Sequence, residues 1–392
     1  MAMGPPSSST PAPAPPGSSQ GSEGGNPGTT TAAAPAVGAR SEGRPRALPG
    51  VLSRWSSLPR VLADLVYAVA ALVVLFIIAN NVSRYRDFQI SEIAAYVVVV
   101  AGLTVLTGLN GQISLGHGAL MAVGAYTTAA LLLHTHLPLI VILLLSIVSG
   151  TVFGAAVGAV AARLRGPYLA GATLALAVAL PQIPKHYKYF GRDQGLTVNP
   201  PLPPGWLGTN FPLERWGAYI CLIGAVVVVV LLANLVRSRY GREFRAVRDD
   251  EIAAAVAGIP VARTQVRAFM ISAACAGLGG GLFALVIPTV GPGGFPLQLS
   301  IQLLVAIVVG GLGSLTGAII GAIVIVYLPG WANAITNGLS LSKQVGANLE
   351  LAIFGGALIV GMLLLPGGIM GGVQRLRMLA RQRRHGPQPA TD

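Results

Sequence analysis

The apolar residues of this chain are gathered into long uninterrupted runs, and runs of that length have few places to go. Leu65–Ala79, Leu139–Val148 and Ile220–Val236 cannot all be hidden in one soluble core. Apolar stretches of about 18 residues or more are the length of a membrane span. Only 10% of the 392 residues are charged, against about a quarter in a soluble domain. A soluble enzyme is excluded on this ground. The formal charge of +13 raises the question of nucleic acid. The basic residues, however, sit in the gaps between apolar segments, where membrane topology accounts for them better, and no nucleic-acid partner is expected. Cys221 and Cys275 both lie inside apolar segments without a spacing pattern, so they read as packing residues with no disulfide framework or metal site.

The apolar segments fall at 61–80, 92–109, 114–133, 138–162, 167–183, 216–236, 265–288, 299–328 and 347–366. At 1.5 Å per residue the eighth would give a helix of ~45 Å, against a hydrocarbon core of ~30 Å. Gly310-Gly311-Leu312-Gly313-Ser314 interrupts it, so it reads as two helices hinged there. The fold expected is an all-α polytopic membrane protein of about ten transmembrane or re-entrant helices. With ten crossings, 19 of the 26 basic residues fall on the side of both termini, which the positive-inside rule makes the cytoplasm. Residues 1–58, with ten prolines and nine glycines in the first fifty, bury too little apolar surface to fold. They are expected to be a disordered cytoplasmic tail, followed by a permease domain at 59–366 and a basic cytoplasmic tail at 367–392. Within the domain, 184–215 is read as the outer loop and 237–263 as a cytoplasmic loop.

Small residues recur every four positions at Gly150, Gly154 and Gly158, at Gly313, Gly317 and Gly321, and at Gly277 with Gly281. Inside lipid such spacing lets helix backbones approach closely, which predicts a tight bundle and says nothing about cargo.

Polar groups inside the spans are costly, so those present are informative. Asp64, Glu92 and Glu350 lie near segment ends; His117 is the titratable group set deep within an apolar segment. An ion-driven carrier usually holds its coupling ion with buried carboxylates or unwound, oxygen-lined helix breaks, and this sequence offers little of the first. Nor is there a P-loop lysine: Lys185, Lys188 and Lys343 follow Pro184, Tyr187 and Ser342, not glycine. If ATP drives transport, another subunit binds it. The densest polar and glycine cluster is Gly108-Leu-Asn-Gly-Gln-Ile-Ser-Leu-Gly-His-Gly118. Asn110, Gln112, Ser114 and His117 are the candidate translocation-pathway residues. The competing structural reading is interhelical hydrogen bonding, which for His117 alone is the stronger of the two.

In the loop 237–263, Asp249 suits an N-cap, Asp250 and Glu251 suit the positive end of a helix dipole, and Gly258 with Pro260 is a stop signal. A helix of about two turns is predicted over 249–258, with Ile252 and Val256 on one face. So short a helix is marginal in water, which points to a partner groove. The alternative is a positive-inside loop on the headgroups, against which stand four acidic residues among the seven basic ones of 237–267.

These segments resemble the permease subunits of branched-chain amino acid ABC importers, the LivM type in particular. The resemblance is carried by Gly108–Gly118 running into Gly124-Ala-Tyr126; by Gly241-Arg-Glu-Phe-Arg-Ala-Val-Arg-Asp-Asp-Glu-Ile-Ala-Ala-Ala-Val-Ala-Gly-Ile259 with Ala268-Phe269 and Ser272–Leu278; and by Ser300–Gly317. It implies a type II-like ABC importer permease bundle with no catalytic residues and no cofactor of its own. The implied partners are a sister permease, two cytoplasmic ATPases that bind the ATP, and an extracytoplasmic solute-binding protein. On that model Asp249, Asp250, Glu251, Ile252, Val256 and Gly258 belong to the coupling helix seated in an ATPase. Two features depart from the family pattern, the proline-rich tail and the start of the outer loop Phe190-Gly-Arg-Asp-Gln-Gly-Leu-Thr197. The second leaves a urea or short-chain amide importer as an alternative to branched-chain amino acids. That loop, with Trp206, Phe211 and Trp216, would dock the binding protein, although Trp216 is read first as an interface-belt residue. From other classes, the competing readings are a secondary carrier or channel acting alone and, with a poorer fit to the polar cluster, a non-transporting scaffold.

Overall fold

The computed structural model describes residues 60–164, 167–205 and 211–338, with short pieces at 352–353, 355–356, 359 and 368–372. The segment 1–58, Arg165, Trp206, Lys343, Glu350, most of 347–366 and the tail beyond 372 lie outside the described residues.

Each apolar run that falls within them is helical. In chain order the helices are α1 (Arg60–Asn80), α2 (Arg84–Leu103, continued by a π-helical turn Thr104–Leu109), α3 (His117–His134), α4 (Leu139–Ala161), α5 (Pro167–Ala179) and a single turn α6 (Ile183–His186). They continue with α7 (Leu213–Arg237), α8 (Arg239–Asp249), α9 (Glu251–Val256), α10 (Val261–Ala284), α11 (Leu297–Gly310) and α12 (Leu315–Gly338). Five described segments are long and apolar enough to cross a membrane: Arg84–Leu109, Leu139–Ala161, Leu213–Arg237, Val261–Ala284 and Pro292–Gly310. The expected hinge in the eighth apolar run is present, with Gly311 and Gly313 at φ 121° and 80° between α11 and α12. Among the described residues the departure from all-helical structure is an antiparallel ladder of two residues a side, β1 (Leu196–Thr197) on β2 (Thr289–Val290).

The centre of the bundle is α10, wrapped by α2, α3 and α4. Backbone-to-backbone approach at glycines makes this possible. Gly124 of α3 and Gly150 of α4 both abut Gly277, Gly154 abuts Ala273, and Gly158 abuts Phe269. Gly281 lies against Thr128 and Ser146, and Gly102 of α2 against Cys275. These pairs set α3 parallel to α10 and α4 antiparallel to it; α2 is antiparallel too, since Gly279 lies against Val99 and Ala95. The α11–α12 hairpin closes in the same way, Gly310 on Gly317 and Gly321 on Ala306. Side chains of α2 and α10 are mostly buried, whereas Ile140, Leu144 and Val152 of α4 and Leu231 of α7 face outward. Apolar side chains on the outside of a bundle are what lipid requires.

The second span begins eight residues earlier than its hydropathy suggests, at Arg84. The reason is tertiary: Asp87, fully buried, is met by Arg215 of α7, Nε to Oδ2 at 3.3 Å, and Arg215 also donates to the carbonyl of Val82. Removing one partner of a buried pair strands a charge and costs about 3–5 kcal/mol. Arg215→Ala is therefore expected to lower the melting temperature in detergent sharply, while Asp87→Asn with Arg215→Gln recovers most of the loss. Equal melting of wild type and the single variant would mean the pair does not hold α2 to α7.

Candidate translocation and coupling sites

The polar cluster sits where α2 turns back into α3. Its helix loosens before it ends. Thr104 Oγ1 bonds the carbonyl of Val100 at 2.8 Å, the N–H of Asn110 reaches back five residues to Val105, and that of Gln112 six residues to Leu106. Gly111, at φ 76°, then reverses the chain. Gly108 touches backbone on the far side, since a Cβ there would stand 2.6 Å from the Cα of Gly313 in the α11–α12 hinge.

The start of α3 is fastened by hydroxyls from three directions. The N–H of Leu115 donates to Thr173 Oγ1 of α5 at 3.0 Å, that of Gly118 donates to Ser300 Oγ of α11 at 3.0 Å, and Ser114 Oγ stands 3.4 Å from the N–H of Gly116. His117 is fully buried, with Nδ1 3.0 Å from Ser114 Oγ and Nε2 2.6 Å from Ser272 Oγ of α10. The break is thus braced by α5, α10 and α11. The bracing hydroxyls of Thr173, Ser272 and Ser300 are not legible in the sequence as site groups, because a lone Ser or Thr in an apolar span has no local signature.

The four candidate pathway residues differ in their partners. Ser114 and His117 bond to each other and to the bundle. Asn110 is buried with neither side-chain amide atom hydrogen-bonded within the described residues, and Gln112 Oε1 is likewise without a protein partner. A buried amide without a partner costs about 1–3 kcal/mol, so Asn110 and Gln112 are the two with unused hydrogen-bonding capacity. A separate cavity of about 470 Å³ lies between α1, α2, α7 and α12, lined by residues such as Ile93, Val97, Leu222 and Val226. It has no lining residue in the polar break, and its walls suit an acyl chain better than a zwitterion.

The second site is built on the chain between α7 and α10. Two helices occur here where the sequence suggests one. An amphipathic α8 buries Gly241, Phe244 and Val247 against the bundle, and Arg267 of α10 lies over the ring of Tyr240 at 5.7 Å. The short helix α9 follows over Glu251–Val256, six residues where about two turns over 249–258 are expected. The N-cap is Asp250, not Asp249: Asp250 Oδ1 accepts from the N–H groups of Ile252 and Ala253 at 2.8 and 3.0 Å. Asp249 ends α8, and its carboxylate is engaged by the guanidinium of Arg248 at 2.9 Å. At the other end, the N–H of Ile259 bonds the carbonyl of Ala254 and that of Gly258 bonds Ala255, with Gly258 at φ 83°. This is the Schellman arrangement. Glu251 accepts from Gln265 Nε2 of α10 at 2.9 Å, and Ala254 is buried beneath the helix. The opposite face is open, with Ile252 78% and Val256 87% exposed.

The family model for the branched-chain amino acid transport system / permease component matches residues 86–365. The chain belongs to this family. As a branched-chain permease family member with membrane-length apolar helices it is an integral membrane protein. Among curated relatives, the high-affinity branched-chain amino acid transport system permease protein LivM of Escherichia coli (strain K12) is 29% identical over 304 residues, 70% of this chain and 67% of LivM. The LivH permease protein of the same strain is 28% identical over 298 residues, 71% of this chain and 92% of LivH. The BraD permease protein of Pseudomonas aeruginosa is 26% identical over 304 residues, 71% of this chain and 92% of BraD. No solved structure matches. Both the polar break and the α8–α9 segment fall inside the stretch matched by the branched-chain permease model.

Proposed function

We propose that this chain forms the membrane pathway of an importer for branched-chain amino acids or similarly small solutes, driven by separate ATPase subunits. The observation that carries the coupling part of this reading is α9. It is a six-residue helix capped at both ends, anchored by Glu251 and Ala254, with Ile252 and Val256 turned to solvent. Nothing in the packing of the described residues calls for two exposed branched side chains on so short a helix. They fit a groove on a cytoplasmic partner. On this reading α9 marks the cytoplasmic end, where Arg163, Arg263 and Arg267 line one crevice in accord with the positive-inside rule. By the same rule both termini would lie on that side, with the β1–β2 ladder and the buried Asp87–Arg215 pair at the opposite, extracytoplasmic end of the bundle. The chain performs no covalent chemistry. Closure of two ATPases would draw this helix toward that of a sister permease and rock the bundle, while an extracytoplasmic binding protein delivers solute from the ladder side. Asn110 and Gln112 would offer their free amide atoms to the passing solute, with Ser114 and His117 holding the wall behind them.

The cap residues give the test. Asp250→Ala removes a cap worth about 1 kcal/mol, and Gly258→Ala places a side chain in the left-handed region at about 1–2 kcal/mol. A helix this short cannot absorb both. The double variant, in a reconstituted complex, is expected to hydrolyse ATP without solute uptake. Normal uptake with normal ligand-stimulated hydrolysis would remove α9 from the coupling role.

A further inference from the structure

Three interruptions of regular structure converge on Gly108. It lies in the last turn of the π-helical end of α2, the α11–α12 hinge packs on it through Gly313, and the α8–α9 segment reaches it through Arg248. Arg248 Nη1 donates to the carbonyl of Gly108 at 2.8 Å. The last carbonyls of a helix lack intrahelical partners, and a cation there also meets the negative end of the helix dipole. The remaining donors of the same guanidinium, Nε and Nη2, bond Asp249 Oδ1 at 3.1 and 2.9 Å. Asp249 thus fixes the plane of the guanidinium, and the next residue, Asp250, is the N-cap of α9. Gly111 lies on the aliphatic stem of Arg248, where a Cβ would come within 2.7 Å of Cγ. Arg248 is therefore held from both sides, by the polar break on one and by the start of α9 on the other.

We infer that Arg248 is the positioning residue that transmits displacement of α9 to the polar break, through its bond to the Gly108 carbonyl. The inference rests on the coupling role proposed for α9. Arginine suits the task because its planar fork serves two acceptors at once; lysine, a single ammonium on a flexible stem, cannot hold both in fixed geometry. A displaced α9 would carry Asp250 and Asp249 with it, and the guanidinium would pull on Gly108. There the helix is already loosened and faces a second hinge, so the strain falls on Asn110–Gly116 and on Gly311–Ser314 together, not on a rigid span.

The test uses the whole complex, with sister permease, ATPases and binding protein, in proteoliposomes. The quantity read is solute taken up per ATP hydrolysed. Arg248→Gln and Arg248→Met are expected to assemble normally, keep basal hydrolysis within about twofold, and lose roughly tenfold in uptake per ATP. Arg248→Lys, which keeps the charge and a single donor nitrogen, is expected to fall between them and wild type. An unchanged ratio in both uncharged variants would overturn the inference and leave the importer reading intact. So would failure of both to assemble, since the role would then be structural. Absence of ATP-dependent uptake by the wild-type complex is a different failure, that of the importer reading itself.

Discussion

Replacing Ile252 and Val256 with aspartate is expected to abolish uptake while leaving the permease folded. The two side chains are 78% and 87% exposed, so among the described residues they support almost nothing. Surface substitutions of that kind change stability by about 0.5 kcal/mol or less. In a partner's groove the same change would bury two carboxylates without counter-ions. Desolvation of each costs several kcal/mol, and every 1.4 kcal/mol is about tenfold in affinity. Co-purification of the ATPases from the detergent-solubilised complex should therefore fall by about a hundredfold or more, with the melting temperature of the permease unmoved. Retention of the ATPases by the double variant would show that α9 is not the docking element.

The largest effect on folding is expected at Gly277, where three helices meet. Gly124 and Gly150 approach its backbone from α3 and α4, and a side chain at 277 would strike the carbonyl of Ser146. Backbone cannot rotate away as a side chain can, so the overpacking cost lies at or above the upper end of about 1–3 kcal/mol. In lipid, where small-residue contact is itself the association force, the three-helix contact would be lost. Gly277→Leu should yield little or no monodisperse protein. Gly217→Ala of α7, where the added Cβ would meet nothing within 4 Å from other elements among the described residues, is the matched control and should be neutral or slightly stabilising. Comparable yields of the two variants would contradict the packing around α10.

The bundle was legible in the sequence wherever a single local property decides. Apolar run length located the described spans, the glycines at 310–313 located the hinge, and the four-residue glycine spacing located the faces on which α4 meets α10 and α12 meets α11. What escaped depends on residues far apart in the chain. The start of α2 at Arg84 depends on a pair between Asp87 and Arg215, 128 positions apart. Helix α8 was hidden because its arginines dominate 237–248, although Gly241, Phe244 and Val247 form a buried stripe at three-residue spacing. Two adjacent aspartates each satisfy the N-cap rule; only the engagement of Asp249 by Arg248 leaves Asp250 to cap α9. The polar break was visible from its glycines and amides, but its bracing by Thr173, Ser272 and Ser300 arises only when four helices are packed.

Solute flux in proteoliposomes tests the proposed importer most directly. Labelled leucine should enter vesicles holding the permease pair, its ATPases and the binding protein only when ATP is supplied to the nucleotide-binding side, and vesicles holding this chain alone should show no flux. Leucine entry through this chain alone, at a rate indifferent to ATP, would contradict it.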